Sequence, residues 1–241
     1  MTNTNLLYVL PFSLYSNVGV LLLWEKGVQT KYRLQPVDLE SGEHNQPDFI
    51  RLNPLGKVPV LIHEDLPPIP DSLAIAQFLD HDETLKTHDP AVLALVEQFR
   101  QISIKGVKLG EAPPESDEKA RHELAKVRDQ LVAYQAQYPD LGYDRRLEAY
   151  DARTRWLSEP SVYKGMKQTW DDLLDQCERR LGEGAAFLVG DQHSLADIYA
   201  TAFLFSASSQ LKDPLFANRP ALHAYYQAQW TRPAVIGAFT R

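Results

Sequence analysis

Up to about residue 80 the chain alternates short apolar runs with amphipathic stretches. Leu6 to Leu10 is an apolar run closed by Pro11 and reads as a buried strand. Val18 to Lys26 is apolar and is followed by Gly27, which suits a helix with a C-terminal glycine. Lys31 to Val37 reads as a second strand, and Asp48 to Leu52 as a short helical turn ending before Asn53-Pro54. Val58 to His63 is a third strand that carries a proline, and Ile69-Pro70 fits a short fourth. Asp71 to Asp80 has helical spacing, with Leu73, Ile75, Ala76, Phe78 and Leu79 apolar. The order βαβ then ββα predicts a small mixed sheet with helices packed on it.

After His81 the strand signals stop. Asp89-Pro90 starts a helix that the pattern carries to about Gly110. A Pro-rich break follows at Ala112 to Ser116. Asp117 to Gln137 is a highly charged helix whose thin apolar stripe is Leu124, Val127, Leu131 and Tyr134. Further helices are predicted over Asp144 to Leu157, Val162 to Leu181, Ser194 to Ser206, Pro220 to Trp230 and Pro233 to Phe239. The second part is therefore an all-α bundle, and the boundary falls between residues 82 and 90.

Composition narrows the function. A length of 241 residues holds one large domain or two small ones. The formal charge of -7 argues against nucleic acid as a partner, because phosphate binding needs a cationic footprint. A single cysteine, Cys177, excludes an intramolecular disulfide and points to an intracellular, cytoplasmic protein. The N-terminus lacks the basic and apolar regions of a signal peptide, and no run is long enough to span a bilayer.

Three local features bear on chemistry. Val58-Pro59 opens an apolar strand, where a proline is accommodated either by a cis bond or at a strand edge. With a cis bond, the Val58 backbone faces outward and is able to pair with an extended peptide. Asp71-Ser72 opens a helix, whose free N–H groups and positive dipole end suit a carboxylate as readily as an ordinary cap. Ser13 stands between the first strand and the first helix, where a hydroxyl is placed to donate to a thiolate.

The segment Ser41 to Leu61, SGEHNQPDFIRLNPLGKVPVL, together with Asp71-Ser72-Leu73-Ala74-Ile75, closely resembles the phi class of glutathione transferases. The later run Leu188-Val189-Gly190-Asp191 with Ser194-Leu195-Ala196-Asp197-Ile198 resembles the buried sixth helix of the same superfamily. The resemblance covers residues 6–110 and 162–239. It implies an α/β thioredoxin-like N-terminal domain over residues 1–82 and an all-α C-terminal helical bundle over 90–241, with an insertion around 111–160. That insertion is similar to a long inter-helix loop of the ganglioside-induced differentiation-associated proteins; their membrane anchor is not expected here.

The resemblance also implies roles. His44 and Asn45 sit at the glycine end of glutathione with Lys57 nearby, Val58 beside cis-Pro59 pairs with the cysteinyl unit, and Asp71 and Ser72 hold the γ-glutamyl end. Ser13 matches the catalytic serine, with Tyr8, Tyr15 and Ser16 as neighbouring alternatives. Many members carry an arginine in the first turn of the first helix, where Val18-Gly19-Val20 stand here. The implied function is conjugation of glutathione, the cosubstrate, to a small hydrophobic electrophile by a homodimer serving detoxification or secondary metabolism. A glutathione-dependent isomerase, epimerase, dehalogenase or ether-cleaving enzyme is the alternative in the same class, and a non-catalytic ligand-binding or adaptor protein the alternative outside it. No metal is implied: the histidines lack ligand spacing. Cys177 reads as a packed thiol, and Asp197 as the acidic half of a capping box worth about 1 kcal/mol.

Overall fold

The computed structural model describes residues 5–11, 13–111, 118–158, 165–211 and 215–240. The first part is β1 (Leu6–Val9), α1 (Leu14–Glu25), β2 (Arg33–Pro36), α2 (Pro47–Leu52), β3 (Val60–Ile62), β4 (Ile69–Pro70) and α3 (Ser72–Leu79). The strands lie in the order β2-β1-β3-β4. β1 and β2 are parallel, with Leu7 opposite Leu34, and β1 and β3 are antiparallel, with Leu7 opposite Leu61. β3 begins only after Pro59, which has no N–H to give the ladder. This is a thioredoxin-like sheet, and every described element after it is helical.

Those helices are α4 (Pro90–Gln101), α5 (Ile104–Glu111), α6 (Glu118–Gln137), α7 (Tyr143–Ser158), α8 (Met166–Gly182), α9 (Leu195–Gln210), α10 (Pro220–Gln229) and α11 (Pro233–Phe239). The single helix expected from Asp89 to Gly110 is two helices. Ile102 leaves the helix with φ −79° and ψ 131°. The Ser103 hydroxyl then accepts from the Gly106 N–H at 3.2 Å and starts α5, a cap competing successfully with helix continuation. Ile102 and Ile104 both reach the core through this bend. The expected break at 112–116 and the expected start of a helix at Val162 lie outside the described residues.

α1 begins four residues earlier than its apolar run. Ser16 and Asn17 look like loop residues but are buried and bonded inside. The Ser16 hydroxyl accepts from the Leu10 N–H at 3.0 Å, and the Asn17 amide donates to Ser206 of α9 at 3.3 Å. Every residue from Ser16 to Leu23 is buried, as is every residue from Leu195 to Leu204. The two helices pack on each other, and α11 closes the far side of α1. Gly237 permits that closure: a Cβ there would meet the Trp24 ring at 2.3 Å. One apolar core thus runs from the sheet into the bundle, and each buried Leu of α1 contributes about 1.5–3 kcal/mol. Lys26 at the end of α1 meets the buried Asp80 at 2.8 Å and fixes the start of the connection between the two parts.

Asp197 is more than a cap. Its fully buried carboxylate accepts from the Leu188 and Ser194 N–H groups at 3.1 and 2.9 Å, and from the Ser194 and Tyr225 hydroxyls at 3.0 and 2.8 Å. Asp197→Ala leaves four donors without their acceptor, so the expected loss is about 3 kcal/mol or more rather than the ~1 kcal/mol of a cap. A urea midpoint moved by no more than a surface substitution would contradict this. Cys177 on α8 is buried, and burial pushes its thiol up to about 12. Thiol reagents need the thiolate, so the native protein at pH 8 should stay unlabelled and the urea-unfolded chain should react at once.

Candidate active site

A cavity of about 300 Å³ lies between the sheet and α4. Lys57, Val58, Pro59, Pro70, Asp71 and Ser72 form one wall; Asn53, Leu55 and Tyr15 adjoin it; Glu97 and Arg100 of α4 face it. The turn leading into the wall is held by Asn53, whose amide donates to the Lys57 carbonyl at 2.7 Å and whose Oδ1 accepts from the Leu55 N–H at 3.0 Å. The Val58-Pro59 bond is cis. Among the described residues, the Val58 N–H and C=O have no hydrogen-bond partner within the protein. They are an open strand edge on which a short extended peptide is able to pair. Gly19 brings α1 close behind: a Cβ there would lie 3.4 Å from the Pro59 ring.

The other end of the wall is electrostatic. Asp71 caps α3, accepting from the Leu73 N–H at 2.8 Å. Its φ of +80° is a conformation that favours glycine and costs on the order of 1–3 kcal/mol. Arg100 holds it there through two bonds of 2.9 and 3.0 Å, a fork-on-fork pair between the bundle and the α3 N-terminus. Partial burial works against the Arg100 charge, but the bonds to Asp71 and to the Tyr199 hydroxyl outweigh it and raise the pKa above its usual value. The buried Ser72 hydroxyl shares a 2.7 Å bond with Tyr199 of α9. A fixed anion, a fixed cation and a helix N-terminus within one cavity suit a zwitterionic amino-acid group.

Four hydroxyls compete near the start of α1. Tyr8 points to the opposite face of the sheet, edge-on to Phe49 at 5.9 Å. Ser16 is committed to Leu10. Tyr15 lines the cavity, but its hydroxyl donates to the Arg100 carbonyl at 2.9 Å, and burial pushes it up to about 12 against the pull of Arg100. Ser13 is half-buried at the N-cap of α1 and gives no side-chain bond to that helix, so among the described residues its hydroxyl has no partner beside the positive helix end.

Five of the eight anticipated residues, Lys57, Val58, Pro59, Asp71 and Ser72, thus meet in one cavity wall, whereas Ser13, His44 and Asn45 lie outside its lining. Asn45 is 1% exposed and bonded to α7. The sequence reading missed Arg100, Glu97 and Asn53. Nothing local marks Arg100, an arginine on a helix 29 residues after Asp71; only the packing of α4 against the sheet side brings them together. His63 bonds to the Tyr32 hydroxyl at 2.8 Å and takes a packing role. Trp170 of α8 is core.

Residues 12–82 match the N-terminal domain of glutathione S-transferases, and residues 147–233 match the C-terminal domain. Glutathione S-transferase TCHQD of Arabidopsis thaliana is 30% identical over 247 residues, covering 97% of this chain and 90% of that one. The chain belongs to the glutathione S-transferase superfamily. Membership brings glutathione with it as the cosubstrate. Glutathione S-transferase 4 of Zea mays is 28% identical over 216 residues, covering 90% of this chain and 83% of that one. In fold, the transferase-family chain superposes on Gtt2 of Saccharomyces cerevisiae with a TM-score of 0.65 at 22% identity, covering 97% of this chain and 100% of that one. Among the described residues no helix is long and apolar enough to cross a membrane.

The Arg100–Asp71 pair gives a direct test. Arg100→Met removes the cation from the cavity and leaves Asp71 without it. Glutathione affinity is expected to fall by roughly 1.5–3 kcal/mol, the worth of a hydrogen bond to a charged group. Calorimetry returning the wild-type affinity would mean that the pair serves the fold alone.

Proposed function

We propose that this protein conjugates the glutathione thiolate to a small hydrophobic electrophile, working as a homodimer. The observation that carries the reading is the continuous wall from Lys57 to Pro59 and from Asp71 to Ser72, with an unpaired Val58 backbone at its centre. A tripeptide thiol fits it in one direction. The γ-glutamyl end, a zwitterion, goes to Asp71, Ser72 and Arg100. The cysteinyl unit pairs with the backbone of Val58 beside Pro59. The glycine carboxylate goes toward Lys57 and the loop of His44 and Asn45. The sulfur then lies toward the start of α1, where Ser13 is the uncommitted hydroxyl.

A free thiol of this kind has a pKa near 8.5, so only a few per cent is ionised at neutral pH. Lowering it by two units needs about 2.7 kcal/mol of preference for the thiolate. A charge-assisted bond from Ser13 and the α1 dipole supply an interaction of that size. Arg100 gives the site a cation that α1, with Val18-Gly19-Val20, does not carry. The thiolate attacks the electrophilic carbon, the carbon–leaving-group bond breaks, and the leaving group departs with the electron pair.

Ultraviolet titration of the bound thiol, run beside turnover of an activated aryl halide, tests this reading. In the wild type the thiolate should form well below the pH at which free glutathione ionises. In Ser13→Ala the apparent pKa should return toward the free value and the rate near neutral pH should fall, while glutathione affinity stays nearly intact, because both ends and the backbone are still held. Identical titration curves in the two proteins would remove Ser13 from the mechanism. Binding without turnover of any electrophile would make the protein a non-catalytic glutathione binder.

A further inference from the structure

In the α6–α7 hairpin, α6 and the first residues of α7 lie between the two stretches that match the transferase domains, and the hairpin is anchored to the loops assigned above to glutathione. Its helices enclose a separate small core of Leu131, Tyr143 and Tyr150 around Ile50 of α2. Polar contacts converge on two neighbouring residues. The Tyr134 hydroxyl donates to the Gln46 side chain at 2.9 Å, and the Tyr143 hydroxyl donates to the Asn45 carbonyl at 2.8 Å. Arg146, 2% exposed, donates from Nε to Asn45 Oδ1 at 2.9 Å and lies over the Tyr150 ring.

Arg146 also touches the second loop. Gly56 has φ +59°, and a Cβ on it would stand 2.5 Å from Arg146 Nε and 2.9 Å from the His44 carbonyl oxygen. The arginine is therefore wedged between the 44–46 loop and the 53–57 turn. That turn, stitched by Asn53, leads into Lys57 and Val58 of the cavity wall. A guanidinium buried there fixes both loops with respect to each other, and so sets the shape of the end of the cavity assigned to the glycine carboxylate.

We propose that Arg146 is a positioning residue that makes the site prefer a thiol peptide ending in a glycine carboxylate, with the hairpin serving to hold it in place. The proposal rests on the glutathione reading given above. Its consequence is selective: Arg146 acts on the glycine end and leaves the sulfur and the γ-glutamyl end alone.

The test compares affinities for glutathione and for γ-glutamylcysteine, which lacks the glycine, by calorimetry on the full chain. Arg146→Gln removes the charge and keeps an amide donor. The preference for glutathione over γ-glutamylcysteine should drop roughly tenfold in this variant, the size expected when the loops no longer hold one charge-assisted contact to the glycine carboxylate in line. KM for glutathione should rise, while kcat at saturation and the apparent pKa of the bound thiol stay at wild-type values. Tyr143→Phe keeps the ring in the small core and removes only the bond to Asn45; it should lower the same preference a few-fold and serves as the measurement if Arg146→Gln fails to fold. An unchanged preference in the folded variants would overturn the proposal, as would equal weakening of both peptides, the mark of a general loosening. A wild type that binds neither peptide would instead bring down the glutathione reading on which the proposal stands.

Discussion

Burial of α1 on all sides is the constraint from which the rest of the structure follows. A helix with no polar stripe is stable only when every face is covered, and the sheet covers one face alone. The remaining faces require α9 and α11, so the bundle completes the thioredoxin-like part and does not merely adjoin it. α9 carries the same condition and meets it against α1, α4 and α10. The polar groups inside this core are satisfied: Asp197 by its four donors within the bundle, and Asn17 by Ser206, 189 residues away. The Asn17–Ser206 bond joins α1 to α9 across the junction of the two halves, and the cavity lies along that junction.

The junction explains why the site needs both halves. Loops of the sheet supply an open strand edge and a helix N-terminus, groups that any extended peptide with a carboxylate would satisfy. The bundle adds Arg100 on Asp71 and Tyr199 on Ser72, which hold the strained Asp71 backbone in place. Electrostatic preorganisation of this kind depends on burial depth and on helix packing, and a small shift of α4 would dissolve it.

Much of this was legible in the sequence, for physical reasons that differ from element to element. The strand runs at Leu6 and Val58 and the helix stops at Gly27 and Pro54 follow from local sterics, so they survive in the structure with ends moved by a few residues. The segment from Ser41 to Ile75 was readable through its resemblance to the phi class, and five of the residues so marked meet in one cavity wall. The bend at Ile102 was not, because Ser103 decides there between continuing one helix and capping the next. The first turn of α1, with Ser16 and Asn17, was not marked by the apolar run that starts at Val18, because the partners that bury these polar groups, Leu10 and Ser206, are a turn and a domain away. Arg100 and Arg146 were invisible for a related reason: an arginine on a helix is ordinary until tertiary packing brings a carboxylate or a buried amide to it.

The small core around Ile50 has a further meaning for motion. It shares no buried residue with the main core, and the hairpin that encloses it is largely polar outside. Units of this size open at a lower free energy than the globule they sit on. Because Asn45 and Gly56 are gripped by the same hairpin, such an opening would release the loops at one end of the cavity while α1 and α9 stay packed. A ligand seated on those loops as proposed would resist the opening by linkage, and amide hydrogens of α6 and α7, far from any sulfur chemistry, would exchange more slowly when the cavity is filled.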